Sequence, residues 1–190
     1  MTNIQHLLKE TDIRSWKGVV DKLKTELLED TKVTKTIAIY SGRFQPYHRG
    51  HHHSYKFLVK KFGKKNVYIA TSNKTGDKSP FDFNEKQAII SKMFKIPKTN
   101  IIQVRIPYNP VEIKALFDEK TTALVVGLGE KEDVSRLLGK YYETYTGADM
   151  ESFDTKGYVI SVPQLQVKIN GITISGTEVR KAFKGDNPQD

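Results

Sequence analysis

The sequence predicts an α/β domain: a mainly parallel sheet with helices on both faces, preceded by an N-terminal helical arm. Three observations carry the prediction. Short β-branched runs alternate with segments of helical period four times in succession. The fourth run, TALVVGL, is apolar enough to lie inside a sheet. No internal repeat, low-complexity tract or linker interrupts the 190 residues, which suffice for one domain with a real core and are short for two.

Residues 1–35 read as the arm. Ile4, Leu7 and Leu8 make a short apolar stripe. After a break near Thr11–Asp12, Trp16, Val19, Val20, Leu23, Leu27 and Leu28 continue at helical spacing, weakened a little by Gly18. Such an arm packs on the main domain or makes a homo-oligomer by packing on a second copy. Residues 36–190 read as the domain. TIAIY (36–40) is a buried strand, followed by a loop containing Gly42 and Pro46 and by a helix from Gly50 to Phe62. NVYIATS (66–72) is the second strand. A polar loop leads to a helix that opens on an Asp82–Glu85 capping box, with Ala88, Ile89, Met93 and Phe94 as its buried face. IIQVRI (101–106) is the third strand, and PVEIKALF starts a helix with Pro110 at a permitted early position. TALVVGL (122–128) is the fourth strand and KEDVSRLLGKYY (131–142) is helical. Residues 143–156 show no period and read as loop. GYVISVP and QVKINGITIS are extended, with Asn170–Gly171 as a turn. A last helix runs from Gly176 to Lys184 before a frayed tail.

Composition bounds the function. No apolar run approaches the ~20 residues that span a bilayer, so no membrane partner is expected. The opening MTNIQHLLKETDIRSWK lacks the apolar core of a secretory leader. The absence of cysteine excludes a disulfide framework and a thiolate metal cluster, and a cytoplasmic protein is expected. A formal charge of +9 fits either a solvated lysine-rich surface or a field that attracts nucleotides or nucleic acid.

In α/β folds, ligands sit beyond the carboxyl ends of the strands, so the loop after the first strand comes first. GRFQPYHRGHHH places His48, His51, His52 and His53 within six residues. His48 and His51, three apart at a helix start, share one side of its entrance. Gly50 between them lets a ligand approach the backbone. The free N–H groups of the first turn favour an anion. Gly42 frees the chain to leave the strand, Arg43 can pair with phosphate bidentately, and Pro46 stiffens the turn. Zinc is the weaker reading, because it wants three or four protein ligands and adjacent histidines diverge on a helix. His52 and His53 read as surface residues. Far along the chain, ITISGTEVRKAF ends an extended run and opens a helix. Ser175 and Glu178 fit a capping box; Ser175 and Thr177 can also offer hydroxyl and N–H donors to phosphate, with Arg180 adding charge a turn later.

Together these stretches resemble the two signatures of the nucleotidylyltransferase superfamily. The first is His-x-Gly-His, here His48, Arg49, Gly50 and His51. The second is Ile-Ser-Ser/Gly-Thr-x-x-Arg, here Ile174 to Arg180. The resemblance covers roughly 36–184 and implies a Rossmann-like nucleotidylyltransferase domain. GRFQPYHRGH and SPFDFNEKQAII are most similar to the archaeal type of nicotinamide-mononucleotide adenylyltransferase, although Lys86 stands where that family carries arginine. The arm has no counterpart in the compact family core.

The resemblance implies an enzyme that moves a nucleoside monophosphate from a nucleoside triphosphate, ATP by preference, to a phosphorylated acceptor, nicotinamide mononucleotide by preference, with release of pyrophosphate. It assigns His48, His51 and Arg180 to catalysis. It assigns Gly42, Arg43, Phe44, Gly50, Gly127, Ser175, Gly176 and Thr177 to nucleotide and phosphate binding. Mg2+ would travel with the triphosphate rather than in a protein cage. Asn73, Lys78, Lys86, Tyr108 and Asn109 are weaker candidates. A cytidylyltransferase using CTP shares both signatures, as does a phosphopantetheine adenylyltransferase. A catalytically silent module that binds nucleotide or nucleic acid is the reading from another class.

Overall fold

Period-two patterning places the strands. In Lys35–Ser41 (β1), Ala38 and Tyr40 join the core on one face and Ile37 and Ile39 the core on the other; all four are buried. Val67–Thr71 (β2) and Thr122–Gly129 (β4) divide the same way, with Val67, Ile69 and Val125 on the first face and Ala70, Leu124, Val126 and Leu128 on the second. Strands buried on both faces belong in the middle of a parallel sheet. The computed structural model describes residues 16–30, 32–130, 134–139, 141–147, 149–165, 167–169, 172–177 and 179–180.

Six strands form one sheet in the order β3-β2-β1-β4-β6-β5, where β3 is Ile101–Gln103, β5 is Tyr142–Thr144 and β6 is Gly157–Val162. Every pairing in it is parallel. The order reverses between β1 and β4, which makes their carboxyl ends the topological switch point of a Rossmann-like fold. Helices Arg49–Phe62 (α2) and Phe83–Phe94 (α3) cover the first face through Tyr55, Leu58 and Ile90. The second face is covered by Ile113 of a single helical turn, Val111–Lys114 (α4), and by Phe153 from irregular chain. Val167–Ile169 (β7) and Ile172–Ile174 (β8) form a separate antiparallel hairpin.

Helix Trp16–Asp30 (α1) lies in the expected arm; the stripe at Ile4, Leu7 and Leu8 lies outside the described residues. Chain contacts divide the molecule into Met1–Lys32 and Val33–Asp190. Among the described residues no helix is long and apolar enough to cross a membrane.

Several expectations need correction. The third strand stops at Gln103 rather than Ile106, because its partner β2 ends at Thr71, whose carbonyl takes a last bond from the Val104 N–H. The stretch 131–142 is not a helix where it is described. It holds one 3-10 turn, Val134–Arg136, and then Gly139 at φ +156. The chain next enters β5, so part of the expected loop 143–156 is an edge strand parallel to β6. Tyr142 packs so closely on Gly157 that a Cβ there would lie 2.5 Å from its ring. The expected α3 face holds in part: Phe94 packs against the core of the first face, but Met93 is 70% exposed, and the fully buried positions are Lys86 and Ile90. The helix after Pro110 lasts one turn. Of the final helix, residues 176–177 and 179–180 are helical, and 181–184 lie outside the described residues, as do Glu178, Asn170 and Gly171.

Candidate active site

Where β1 ends, the chain must turn into α2. Gly42 allows this by lacking a Cβ, which would sit 2.8 Å from the Phe44 ring. The left-handed conformation falls on Phe44 itself (φ 47), not on a glycine. Phe44 is held there by burial, with its ring against Tyr40 and Tyr47 and meeting His51 edge-on at 5.1 Å. Phe44 thus supports the histidine from below.

Two histidines cap α2. The Gly50 N–H donates to His48 Nδ1 at 3.1 Å, and the His48 N–H donates to His51 Nδ1 at 3.3 Å, a capping box built from imidazoles. The rings stack at 3.8 Å. Because each Nδ1 accepts, each ring in its neutral form carries its proton on Nε2. Burial, and secondarily the neighbouring His48, pushes His51 down to about 3; burial lowers His48 as well. Both rings are therefore neutral Nε2–H donors at neutral pH. At Gly50 a Cβ would lie 2.9 Å from both His48 Cε1 and the Leu165 carbonyl oxygen, so only glycine admits the loop after β6 so close.

The second signature reaches the first across the sheet. Arg180 donates through Nη1 to the Gln45 carbonyl and through Nη2 to Thr177 Oγ1 at 3.0 Å. Ser175 Oγ accepts from the Thr177 N–H at 3.2 Å, and the Ser175 carbonyl accepts from the Val179 N–H at 3.1 Å, opening the helical turn. Gln45 is a hub: its side chain donates to the Phe81 carbonyl at 2.7 Å and accepts from the Phe81 N–H at 2.9 Å. That pair ties the GRFQP loop to the SPF loop ahead of α3. The peptide between Gln45 and Pro46 is cis.

Lys86 is 1% exposed. Its Nζ donates to Thr71 Oγ1 at 3.1 Å, to the Arg43 carbonyl at 3.4 Å and to the Ser72 carbonyl. Burial lowers its pKa, opposed in part by Asp82. Lys86 thus clamps the loops after β1 and β2 together from within.

These residues surround a cavity of about 390 Å³ beyond the carboxyl end of β1, a volume suited to a small-molecule site. Gly42, Arg43, Phe44, His48, His51, Gly176, Thr177 and Arg180 line it, with Lys78 and Tyr108. Gly50 and Ser175 are not in the lining, although their chain neighbours His51 and Gly176 are. Gly127 does not line it: it is buried in β4, where a Cβ would meet Leu58 Cδ1 at 2.7 Å. Asn73 accepts from the Phe83 N–H, and Asn109 lines a neighbouring cleft of about 560 Å³. His52 is not a surface residue; it is half-buried against Tyr55 and Phe94. Sequence reasoning gave no role to Gln45 or to Gln164, which also lines the cavity. Gln45 could have been suspected from its place in the loop, whereas nothing in VPQLQ singles out Gln164. Among the described residues no group of three or more His, Asp or Glu could hold a metal ion, and the cavity's described lining includes no carboxylate.

A switch-point cavity in a parallel sheet, reached by both signatures, marks a nucleotidyltransferase. The chain belongs to the cytidylyltransferase-like family, whose model matches residues 39–182. The nicotinamide-nucleotide adenylyltransferase of Methanococcus maripaludis is 26% identical over 147 residues, 76% of this chain and 75% of that one. The protein of the same name from Methanococcus aeolicus is 29% identical, again over 76% and 75%. A solved Plasmodium falciparum nicotinic acid mononucleotide adenylyltransferase, complexed with APC, matches 77% of this chain and 83% of its own at 19% identity. Its TM-score of 0.44 is a loose likeness.

Proposed function

We propose that this protein transfers AMP from ATP to nicotinamide mononucleotide and releases pyrophosphate. The observation that carries the reading is the Arg180–Gln45 contact, which joins the two signatures around one pair of Nε2–H donors. In this reading a phosphate oxygen of the acceptor attacks the α-phosphorus of ATP. The new P–O bond forms as the bond to the β-phosphate bridging oxygen breaks, and pyrophosphate leaves with that electron pair. No protein nucleophile is needed, so the work is positioning and charge stabilisation. His48 and His51 donate to the α-phosphate oxygens as charge develops there. Ser175, Thr177 and Arg180 hold the β- and γ-phosphates at the start of a helical turn. Arg43 reaches phosphate from the rim. ATP arrives as its Mg2+ complex, which fits a cavity lined by nitrogen and hydroxyl donors. The names of the archaeal relatives support the choice of acceptor.

The test is pyrophosphate release with Mg2+ and either ATP or CTP, against a panel of phosphorylated acceptors. We expect release with ATP and nicotinamide mononucleotide, accompanied by the dinucleotide. Release only with CTP would keep the chemistry and overturn the substrates. Nucleotide binding without release from any acceptor would overturn the transfer reading.

A further inference from the structure

Two carboxamides line the cavity. That of Gln45 is spent on the Phe81 backbone. That of Gln164 makes no hydrogen bond to a described residue and is half-buried. Its backbone is well held on both sides. The Pro163 carbonyl accepts from Ser54 Oγ at 2.8 Å, and the Leu165 carbonyl lies against Gly50. At the end of β4, a Cβ on Gly129 would lie 1.9 Å from Gln164 Nε2 and 2.9 Å from its Cδ, so any side chain at 129 would evict the carboxamide.

Position separates the two flanks of the cavity. Arg43, His48 and His51 follow β1 at its centre. Lys78 and Tyr108 come from the loops after β2 and β3 on one side, and Gln164 follows β6 on the other. A phosphorylated acceptor suits the flank that brings the Lys78 charge. The Gln164 flank offers a neutral group with a donor and an acceptor side by side. That is the complement of a ring edge bearing an amino group next to a ring nitrogen, as in adenine.

We propose that Gln164 reads the base of the nucleoside triphosphate, its carboxamide pairing with the amino-bearing edge of adenine, and that Gly129 is glycine in order to seat it. The inference rests on the reading above that this cavity takes a nucleoside triphosphate.

The experiment is calorimetric binding, without acceptor, of Mg-ATP and of the Mg complex of purine riboside triphosphate to the wild-type protein and to Gln164→Leu. The purine analogue lacks the amino group and keeps the ring nitrogen, so a carboxamide that turns over cannot recover the lost bond, as it could against a carbonyl beside an N–H. Wild type should prefer ATP by roughly tenfold or more, and Gln164→Leu should bring the two within about twofold, mainly by weakening ATP. Gly129→Ala should reproduce that loss, yet add nothing when built on Gln164→Ala, where there is no carboxamide left to displace. An unchanged preference in Gln164→Leu, or no preference in wild type, overturns the inference even if pyrophosphate release stands. The expected binding pattern from a protein that releases no pyrophosphate would uphold the base contact and overturn the transfer reading alone.

Discussion

His51 uses its two nitrogens differently. Nδ1 accepts the His48 N–H and closes the helix cap, which leaves Nε2 as the donor. The spacing of His48 and His51 is legible in the sequence because it reflects helical geometry. The division of labour between the ring nitrogens is not, because it depends on backbone N–H directions. Burial gives it a measurable consequence. An unfolded histidine near 6.5 takes up a proton that folded His51, pushed down to about 3, refuses. The stabilisation is fully present above pH 6.5 and is lost progressively as pH falls toward 3, with a slope of up to about 1.4 kcal/mol per pH unit. His48, lowered in the same direction, adds to it. Urea midpoints between pH 7.5 and 5 should fall on acidification in the ligand-free protein. His51→Asn, which keeps an acceptor without a titrating ring, should flatten the dependence; an equal slope in both proteins would show that His51 is not held neutral.

Single elements divide into those set by local pattern and those set by partners. The Asp82–Glu85 capping box is local, and both of its bonds form, at 2.8 and 2.9 Å. The inward phase of α3 is not local: it follows Lys86, a residue that hydropathy assigns to the surface. Lys86 is buried because three acceptors around the ends of β1 and β2 need a donor. Similarly, Tyr142 reads as helical until Gly157 offers room for its ring on the sheet edge. Lys86→Met should leave the Arg43 and Ser72 carbonyls without that donor. We expect a loss of about 1–3 kcal/mol by urea unfolding and a raised KM for the triphosphate, since the Arg43 loop loses its clamp. A normal KM in a destabilised variant would reduce Lys86 to a packing role.

Across the whole molecule, the alternation of strands and helices made the α/β class legible, and strand apolarity placed β1 and β4 in the middle of the sheet. The two signatures could be matched one by one, but their meeting could not be read. Gln45 and Arg180 are 135 residues apart, one in the loop after β1 and the other in the helical turn after β8, and only the folded chain puts them in contact. Gln164 was invisible for a related reason, since its significance depends on Gly129 in the neighbouring strand. In the proposed reading this meeting point performs the transfer. The measurement that tests it most directly is the rate of pyrophosphate release with Mg-ATP and nicotinamide mononucleotide, compared between wild type and His51→Ala. Wild type should release pyrophosphate only when the acceptor is present, and a His51→Ala protein that remains folded and still binds ATP should do so at least about 100-fold more slowly. Equal rates in the two proteins would contradict that reading.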